Sequence, residues 1–368
     1  MRIVLLTLVV CSLLHAVERK AIFPTSAKPI GPFSPGVLAG DYLYVSGQGA
    51  RDANGNLPDG VAAQTKQCLN NIKTIVEAAG LTMDHIVYTH IYLTDMNNYG
   101  SMNSAYATFF KDPLPARSTM GVTRMPLDTP VEISAIAFRD KTKRQSFALP
   151  GVKSTVPISA GVLTPDRIFF SGILGRDSDS GVTPSTPQAQ LSVALTRLAS
   201  SIKAAKIDAS ALVHLNAYRT SAMDRALLER KLRASFPQAA ISFVEAASLP
   251  FQVSVGLTAV AVRDPRQKRI SKAGAYPDCA AAGDTVYCAA REGDDATAAL
   301  KAIDSSLKAL GSNLALAVAN TVYIDDVEHF KTMNTAYGLL FPTPPPTRTT
   351  VQPTRPGAKI RVSVIAVR

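Results

Sequence analysis

The sequence has no tryptophan, and it has only 4 cysteines and 5 histidines among its 368 residues. The histidines, at positions 15, 85, 90, 214 and 329, show none of the spacings that metal ligands require. No glycine-rich phosphate-binding motif occurs. Beyond the first residues, no run approaches the roughly 18 consecutive apolar residues that cross a bilayer. We therefore expect no metal, no other cofactor and no membrane association of the mature chain.

Charged residues are also few, at 18% against 46% hydrophobic residues, which is a composition typical of globular domains. The formal net charge is nevertheless +11. Many of the basic residues fall in two short segments, residues 139–144 and 263–269, which we interpret as solvated linkers. A positive charge suits nucleic acid or an anionic substrate, but no basic-aromatic binding motif is present. We expect no nucleic-acid partner.

The N-terminus has the pattern of a secretory leader. Met1-Arg2 precedes an apolar run from Ile3 to Leu14, and the polar segment His15 to Glu18 follows. One positive charge, a short apolar core and a small residue near its end are typical of signal peptides. We assign residues 1–20 to a leader and expect the protein to be exported, either periplasmic or secreted. The alternative is a buried first strand.

The positions of the cysteines predict one free thiol and one candidate disulfide pair. Cys68 falls on a helical pattern and is expected to be a buried free thiol. Cys279 and Cys288 flank a segment that reads as a hairpin turning near Gly283-Asp284. That turn would place the two cysteines opposite each other, where a cross-strand disulfide is plausible in an oxidising compartment. The spacing leaves open whether the disulfide forms.

Three segments of the chain repeat one another. Their last strands match, in residues 135–140, 259–264 and 364–368, and their first hairpins match, in residues 32–47, 157–172 and 275–290. The repeats begin near residues 21, 146 and 270. We predict three modules at residues 21–140, 146–264 and 270–368.

Each module shows the same order of predicted elements: a hairpin, a helix, a strand, a second helix and a last strand. The predicted first helices are residues 62–79, 189–205 and 296–310, and the second helices are residues 99–110, 226–236 and 328–341. The strands between them are residues 86–93, 212–218 and 318–324. This order predicts an α+β fold in which each module has one mixed sheet with two helices on one face. The other face then needs a partner, and two more copies lie in the same chain.

The first module, residues 21–140, resembles the RidA (YjgF) family. The resemblance rests on the motifs Ile30-Gly-Pro-Phe33, Val45-Ser-Gly-Gln48, Asn103 to Phe110, Pro115-Ala-Arg-Ser118 and Val131 to Ala137. It implies a chorismate-mutase-like fold and a homotrimer whose active sites lie between subunits. We therefore expect an intramolecular pseudo-trimer that acts as a monomer.

The resemblance also implies an activity, the hydrolysis of reactive enamines and imines to 2-keto acids and ammonia. The substrate would be a small carboxylate, which the planar fork of an arginine recognises through two hydrogen bonds. No metal is needed, because the imine carbon is already electrophilic and the site mainly positions it beside a water.

The resemblance assigns site roles in the first module. Arg117 falls on the carboxylate-binding arginine and is a candidate catalytic residue. Substrate contacts fall to Ser46, Gly47 and Asn103. Three further site positions depart from the family pattern, since Phe33, Thr119 and Ser134 stand where the family has Tyr, Cys and Glu. We predict that the water-holding glutamate is replaced by Ser134, with Glu132 two residues away on the same strand face.

The other two modules differ in these positions. Ile241 stands at the arginine position of the second module, which we therefore interpret as structural. The third module keeps the arginine as Arg348, a second candidate catalytic residue, and the asparagine as Asn334. Tyr276 restores the tyrosine that the first module lacks. The sequence leaves open which modules face each other.

Three functions remain as hypotheses. The first is an enamine/imine deaminase. The second is a non-catalytic protein that binds small carboxylates, which is motivated by the residues at the glutamate position, Ser134, Thr258 and Ser363. The third is an endoribonuclease, a label that some family members carry.

Overall fold

The computed structural model describes residues 17–25, 29–149, 154–271, 274–341, 343–354 and 359–368. It contains three sheets, one for each repeat, and each sheet carries two helices. The bulk of the predicted leader, residues 1–16, lies outside the described residues. Residues 17–20 are part of the first module, because Arg19 and Lys20 pair with the neighbouring strand. The boundary predicted at residue 20 therefore cuts through a strand.

The first module is a six-stranded mixed sheet with the strand order β1-β2-β3-β6-β4-β5. Its strands are β1 (Arg19–Ile22), β2 (Gly36–Ala39), β3 (Tyr42–Gly49), β4 (Ile86–Leu93), β5 (Ala116–Gly121) and β6 (Val131–Phe138). Its helices are α1 (Val61–Ala78) and α2 (Tyr99–Tyr106). The sheet is mixed because β4 and β5 run parallel whereas the other neighbours are antiparallel.

The second and third modules repeat this topology. The second contains β7 (Gln145–Phe147), β8 (Gly161–Leu163), β9 (Arg167–Phe170), β10 (Ile173–Leu174), α3 (Pro187–Ala204), β11 (Leu212–Arg219), α4 (Arg225–Ser235), β12 (Ala240–Glu245) and β13 (Val255–Val262). The third contains β14 (Lys268–Ile270), β15 (Cys279–Ala282), β16 (Thr285–Gly293), α5 (Ala296–Ala309), β17 (Ala317–Tyr323), α6 (Phe330–Gly338), β18 (Thr347–Val351) and β19 (Ile360–Val367). The predicted α+β class and the tandem modules are thus confirmed.

The helices pack on one face of each sheet because their apolar residues recur with helical spacing. In α1, Leu69, Ile72 and Val76 are buried against the sheet residues Ile133 and Ala135. The helices α3, α4 and α5 begin at residues whose side-chain oxygens accept a backbone N–H of the first turn, namely Thr186, Asp224 and Asp295. The apolar spacing and the N-terminal capping residues therefore agree with the observed helices and their packing.

The opposite sheet faces pack on one another across the modules. One buried apolar cluster contains Tyr44 of the first module, Phe169 of the second and Val318 of the third. A second such cluster contains Tyr92, Tyr218 and Tyr323, again one residue from each module. This burial covers the sheet face that would otherwise be exposed, and it stabilises the assembly through the hydrophobic effect.

Each module contacts both of the others through equivalent elements. Strand β5 lies against β8 and β9, β12 lies against β16, and β18 lies against β3. At the first contact the N–H of Gly172 donates to the carbonyl of Arg117 at 2.8 Å, and at the third the N–H of Ser34 donates to the carbonyl of Pro346 at 3.0 Å. The last parallel strand of each module therefore faces the hairpin of another module, and this arrangement positions the clefts.

The two basic segments are less solvated than predicted. Arg144 is buried and donates to the carbonyl of Asp84 at 2.9 Å. Lys268 lies in β14 and donates to the carbonyls of Ser210 and Leu212, and partial burial lowers its pKa to about 8. These side chains attach the linkers to the modules, because buried cations need hydrogen-bond acceptors.

The cysteine predictions agree with the structure. Cys279 pairs with Cys288 in the register of β15 and β16, and the two form a disulfide with a Cα–Cα distance of 4.0 Å. Cys68 is a buried free thiol on α1. In the described part of the chain, no helix combines the length and apolarity needed to cross a membrane.

Candidate functional site

The arginine position is equivalent in the three sheets. Arg117, Ile241 and Arg348 are each the second residue of the strand that pairs in parallel with β4, β11 or β17. The backbone register therefore agrees with the alignment made from the repeats. Two of the three inter-module clefts hold an arginine at this position, and we name them the Arg348 cleft and the Arg117 cleft.

The Arg348 cleft lies between the first and third modules and encloses a cavity of about 460 Å³. The first module contributes Phe33, Ser46, Gly47 and Glu132. The third module contributes Arg348, Phe330 and Thr350. A cavity of this size lies within the range of small-molecule sites.

Arg348 is held by aromatic rings rather than by a carboxylate. Its guanidinium carbon lies 4.8 Å from the ring centre of Phe33, 5.3 Å from that of Phe330 and 4.9 Å from that of Tyr337. The side chain is 3% exposed, and burial lowers its pKa to about 10. It is therefore a cation at neutral pH with N–H donors available to an anion in the cavity.

Glu132 supplies an acid to the same cavity. The side chain is 7% exposed, and its Oε1 has no hydrogen-bond partner. Burial raises the pKa of Glu132 to about 8, although the charge of Arg348 and the backbone N–H of Thr350 act to lower it. The carboxyl group is therefore largely protonated at neutral pH, which suits a proton donor.

The Arg117 cleft lies between the first and second modules and is nearly closed. Its cavity is about 30 Å³, which is room for about one water molecule. Arg117 is 2% exposed and donates to Asn103 Oδ1 at 2.6 Å and to the Tyr99 hydroxyl at 3.3 Å. Thr119 also lines this cavity. Asn103 and Thr119 therefore lie with Arg117.

The described residues that line the Arg117 cleft include no acid. In the first module, Glu132 pairs with Tyr92. The equivalent pair in the second module is Gly256 with Tyr218, so a glycine stands at the position of the glutamate. The aromatic position of the hairpin is Ile158, which also lines the cavity. The cavity beside Arg117 is too small for a substrate, and no described carboxyl group lines it to transfer protons. The geometry therefore does not support the predicted catalytic role of Arg117.

At the third inter-module contact, the described residues at the positions equivalent to the arginine and to Glu132 are Ile241 and Arg361. Ile241 is buried there, and Arg361 stands at the position of Glu132, where it pairs with Glu292 at 3.3 Å. Tyr276 is 42% exposed and lies over Arg233, with 4.6 Å from the guanidinium carbon to the ring centre. The structure thus places Tyr276 away from both arginine clefts.

The comparisons with known proteins agree with this architecture. The model of the family described as "Endoribonuclease L-PSP" matches the chain three times, over residues 24–139, 151–263 and 266–368. The chain belongs to this family. The predicted RidA resemblance is therefore confirmed, and the family module occurs three times.

Individual relatives each match a stretch of this chain about as long as one module. A RutC family protein of Pyrococcus horikoshii is 41% identical over 33% of this chain and 99% of its own length. The 2-iminobutanoate/2-iminopropanoate deaminase of Escherichia coli is 43% identical over 30% of this chain and 89% of its own length. The crystal structure of the Escherichia coli YjgF gene product is 42% identical over 33% of this chain and 99% of that chain, with a TM-score of 0.31.

The glutamate position requires a correction in this RidA-type chain. Ser134 lines a central cavity of about 120 Å³ together with its equivalents Thr258 and Ser363. Glu132 instead lines the Arg348 cleft. Both residues lie on one strand face, but they are about 7 Å apart along the strand. Ser134 therefore does not replace the acid of the cleft, which Glu132 supplies.

The remaining predicted residues divide between the clefts. Phe33, Ser46 and Gly47 lie with Arg348 rather than with Arg117 of their own module. Asn334 also lies beside Arg348, since a Cβ placed on Gly31 would meet Asn334 Oδ1 and Arg348 Nη2 at 2.9 Å each. Among the described residues, no group of three or more His, Cys, Asp or Glu side chains could hold a metal ion.

Gly47 is required by the position of the Glu132 carboxyl group. A Cβ at Gly47 would lie 2.0 Å from Glu132 Oε1. We therefore expect Gly47→Ala to displace the carboxyl group, to lower the free energy of unfolding by about 1–3 kcal/mol and to reduce turnover. Thermal denaturation and a turnover assay measure the two effects.

Gly172 provides the matched control for this substitution. It is the equivalent glycine of the second module, where a Cβ would lie at an ordinary 3.5 Å from the carbonyl of Arg117. Gly172→Ala should leave stability and turnover nearly unchanged. If both variants lost stability equally, the close approach of Glu132 would not explain Gly47.

Proposed function

We propose that the protein hydrolyses imines and enamines of 2-keto acids in the Arg348 cleft, with release of the keto acid and ammonia. The observation that carries this proposal is the juxtaposition of two groups in one cavity: an arginine that has no ion-pair partner among the described residues, and a carboxyl group that burial keeps protonated. The names of the deaminase relatives support the same reaction type. Neither feature requires a cofactor.

Arg348 binds the substrate carboxylate in this proposal. A guanidinium presents two parallel N–H groups to the two carboxylate oxygens, which fixes the position of the adjacent imine carbon. Phe33 and Phe330 hold the guanidinium in place through its faces and leave its edge free. Positioning of this kind contributes a large share of the rate enhancement, because the imine carbon is then held in a fixed geometry relative to the attacking water.

Glu132 transfers protons in this proposal. The protonated carboxyl group donates to the imine nitrogen, water attacks the carbon, and the carboxylate accepts a proton from that water. The same proton then passes to the nitrogen of the tetrahedral adduct. As the C–N bond breaks, the hydroxyl proton of the adduct returns to the carboxylate, and the keto acid and ammonia leave. Glu132 ends the cycle protonated, so one water is consumed and no other group changes.

The experiment is to generate imines in the assay with an amino-acid oxidase and to measure release of ammonia and keto acid by the purified chain. We expect release above the spontaneous rate. If no amino acid tested gives an excess, the deaminase proposal is wrong.

If the protein releases no ammonia above the spontaneous rate, the remaining hypothesis is a non-catalytic protein that binds small carboxylates. It rested on the absence of the glutamate, and Glu132 in the cleft removes that motivation. A keto acid that raises the melting temperature without any turnover of imine would nevertheless support it.

A further inference from the structure

The mouths of the two arginine clefts are built from equivalent residues. Leu127 of the first module and Phe251 of the second occupy the same position of a short turn before the last strand. Both have left-handed backbone conformations, with φ of 59° and 58°. Tyr99 and Phe330 each begin the second helix of their module. The two mouths can therefore be compared position by position.

The mouth of the Arg117 cleft is closed by an aromatic pair. The rings of Phe251 and Tyr99 lie edge to face, with centres 5.6 Å apart. Arg176 covers the other side of Phe251, with its guanidinium carbon 4.2 Å from the ring centre. Such pairs pack well, and only about 30 Å³ remains free behind them.

At the Arg348 cleft, Leu127 stands at the position that Phe251 occupies at the Arg117 cleft. Leu127 and Phe330 both line the cavity of about 460 Å³, and Leu127 is 54% exposed. Ile30, which is 47% exposed, and Ile75 add to the apolar lining. The cavity has space for about 15 water molecules, whereas a four-carbon imino acid fills the space of only a few.

We propose that Leu127 and Phe330 select a substrate with a bulky apolar side chain, aromatic or long and branched. This inference rests on the proposed function. With the carboxylate on Arg348 at the buried end of the cleft, the side chain of a 2-imino acid extends toward the mouth. There it removes the exposed surface of Leu127 and Ile30 from water, which favours binding in proportion to the apolar area buried.

The test compares imines generated in situ from phenylalanine and from alanine, in the full chain and in two variants. We expect kcat/KM to be at least about tenfold higher for the phenylalanine-derived imine. Leu127→Phe should lower that ratio about tenfold or more, because it reproduces the closed aromatic mouth. The substitution should be tolerated by the fold, because the second module has a phenylalanine, Phe251, at the equivalent position with the same backbone conformation. The mirror change Phe251→Leu should leave the ratio unchanged, since the described residues that line the Arg117 cleft include no acid.

Two outcomes would overturn the inference while leaving deamination intact: a higher kcat/KM for the alanine-derived imine, or a ratio that Leu127→Phe does not change. Turnover of neither imine would instead mean failure of the proposed function. Calorimetric titration with phenylpyruvate and pyruvate then decides the question. Tighter binding of phenylpyruvate that Leu127→Phe weakens supports the mouth as a selective site, and equal binding of the two keto acids contradicts it.

Discussion

Substitution of Arg348 by isoleucine is expected to abolish turnover of 2-imino acids, with a loss of kcat/KM of about a thousandfold or more. The variant removes the buried cation of the cavity that Glu132 lines. The other lining arginine, Arg51, donates to the carbonyls of Gly55 and Leu127. Charge-assisted, bidentate binding of a carboxylate has no substitute there. Ammonia release under imine-generating conditions measures the effect. Arg348→Lys should recover only part of the rate, because lysine keeps the charge without the planar fork.

The matched control is the same change at the equivalent position, Arg117→Ile. Isoleucine occurs naturally at this position as Ile241 of the second module. We expect Arg117→Ile to lower stability, since Arg117 is buried and bonded to Asn103, and to leave turnover per folded molecule within about twofold. Loss of turnover with Arg117→Ile and retention with Arg348→Ile would contradict the assignment of the working cleft.

Glu132→Gln is expected to lower kcat by about a hundred- to ten-thousandfold while keto-acid binding changes little. The amide keeps the shape of the side chain but transfers no proton, and general acid–base groups contribute factors of this size. Turnover and the dissociation constant of a keto acid separate the two effects. Ser134→Ala, in the central cavity, serves as control and should retain turnover. If Ser134→Ala lost activity and Glu132→Gln kept it, the glutamate assignment made from the structure would be wrong.

The pH profile of the wild type should report the same group. Because burial raises the pKa of Glu132 to about 8, the proton donor is present at neutral pH and is lost above pH 8. We therefore expect kcat/KM to fall as pH rises through about 8, and the falling limb to disappear in Glu132→Gln. Arg348, with a pKa of about 10, keeps its charge over this interval.

Stability should follow the same titration. The folded state holds the Glu132 proton up to about pH 8, whereas the unfolded chain loses it near the ordinary value of 4.5. The folded state thus binds more protons between these values, so its free energy of unfolding decreases as pH rises through them. The total effect is at most a few kcal/mol, and Glu132→Gln should remove it.

Much of the fold follows from local patterns in the sequence. The predicted strand at residues 86–93 coincides with β4, and the first helix of each module agrees within two residues at each end. Period-two and period-3.6 patterns depend on neighbouring residues alone, which is why they are readable. The predicted second helices of the first and third modules are too long at their C-terminal ends, since α2 ends at Tyr106 and α6 at Gly338, whereas that of the second module agrees with α4 within one residue. Apolar residues such as Phe110 and Phe341 continue the pattern beyond the helix because they pack as loop residues against the same cores.

The sequence by itself determined that this chain carries three RidA-type modules, that two of them retain an arginine and that two cysteines lie opposite each other. Only the tertiary structure decided which modules share a cleft. Glu132 meets Arg348 across more than two hundred residues, and no local pattern encodes that contact. Alternation along β6 placed Glu132 and Ser134 on one face, but the position of the neighbouring module decides which of them reaches the cleft. The volumes of the two cavities likewise follow from packing between modules, because each cavity is lined by residues of two modules that lie far apart in the sequence.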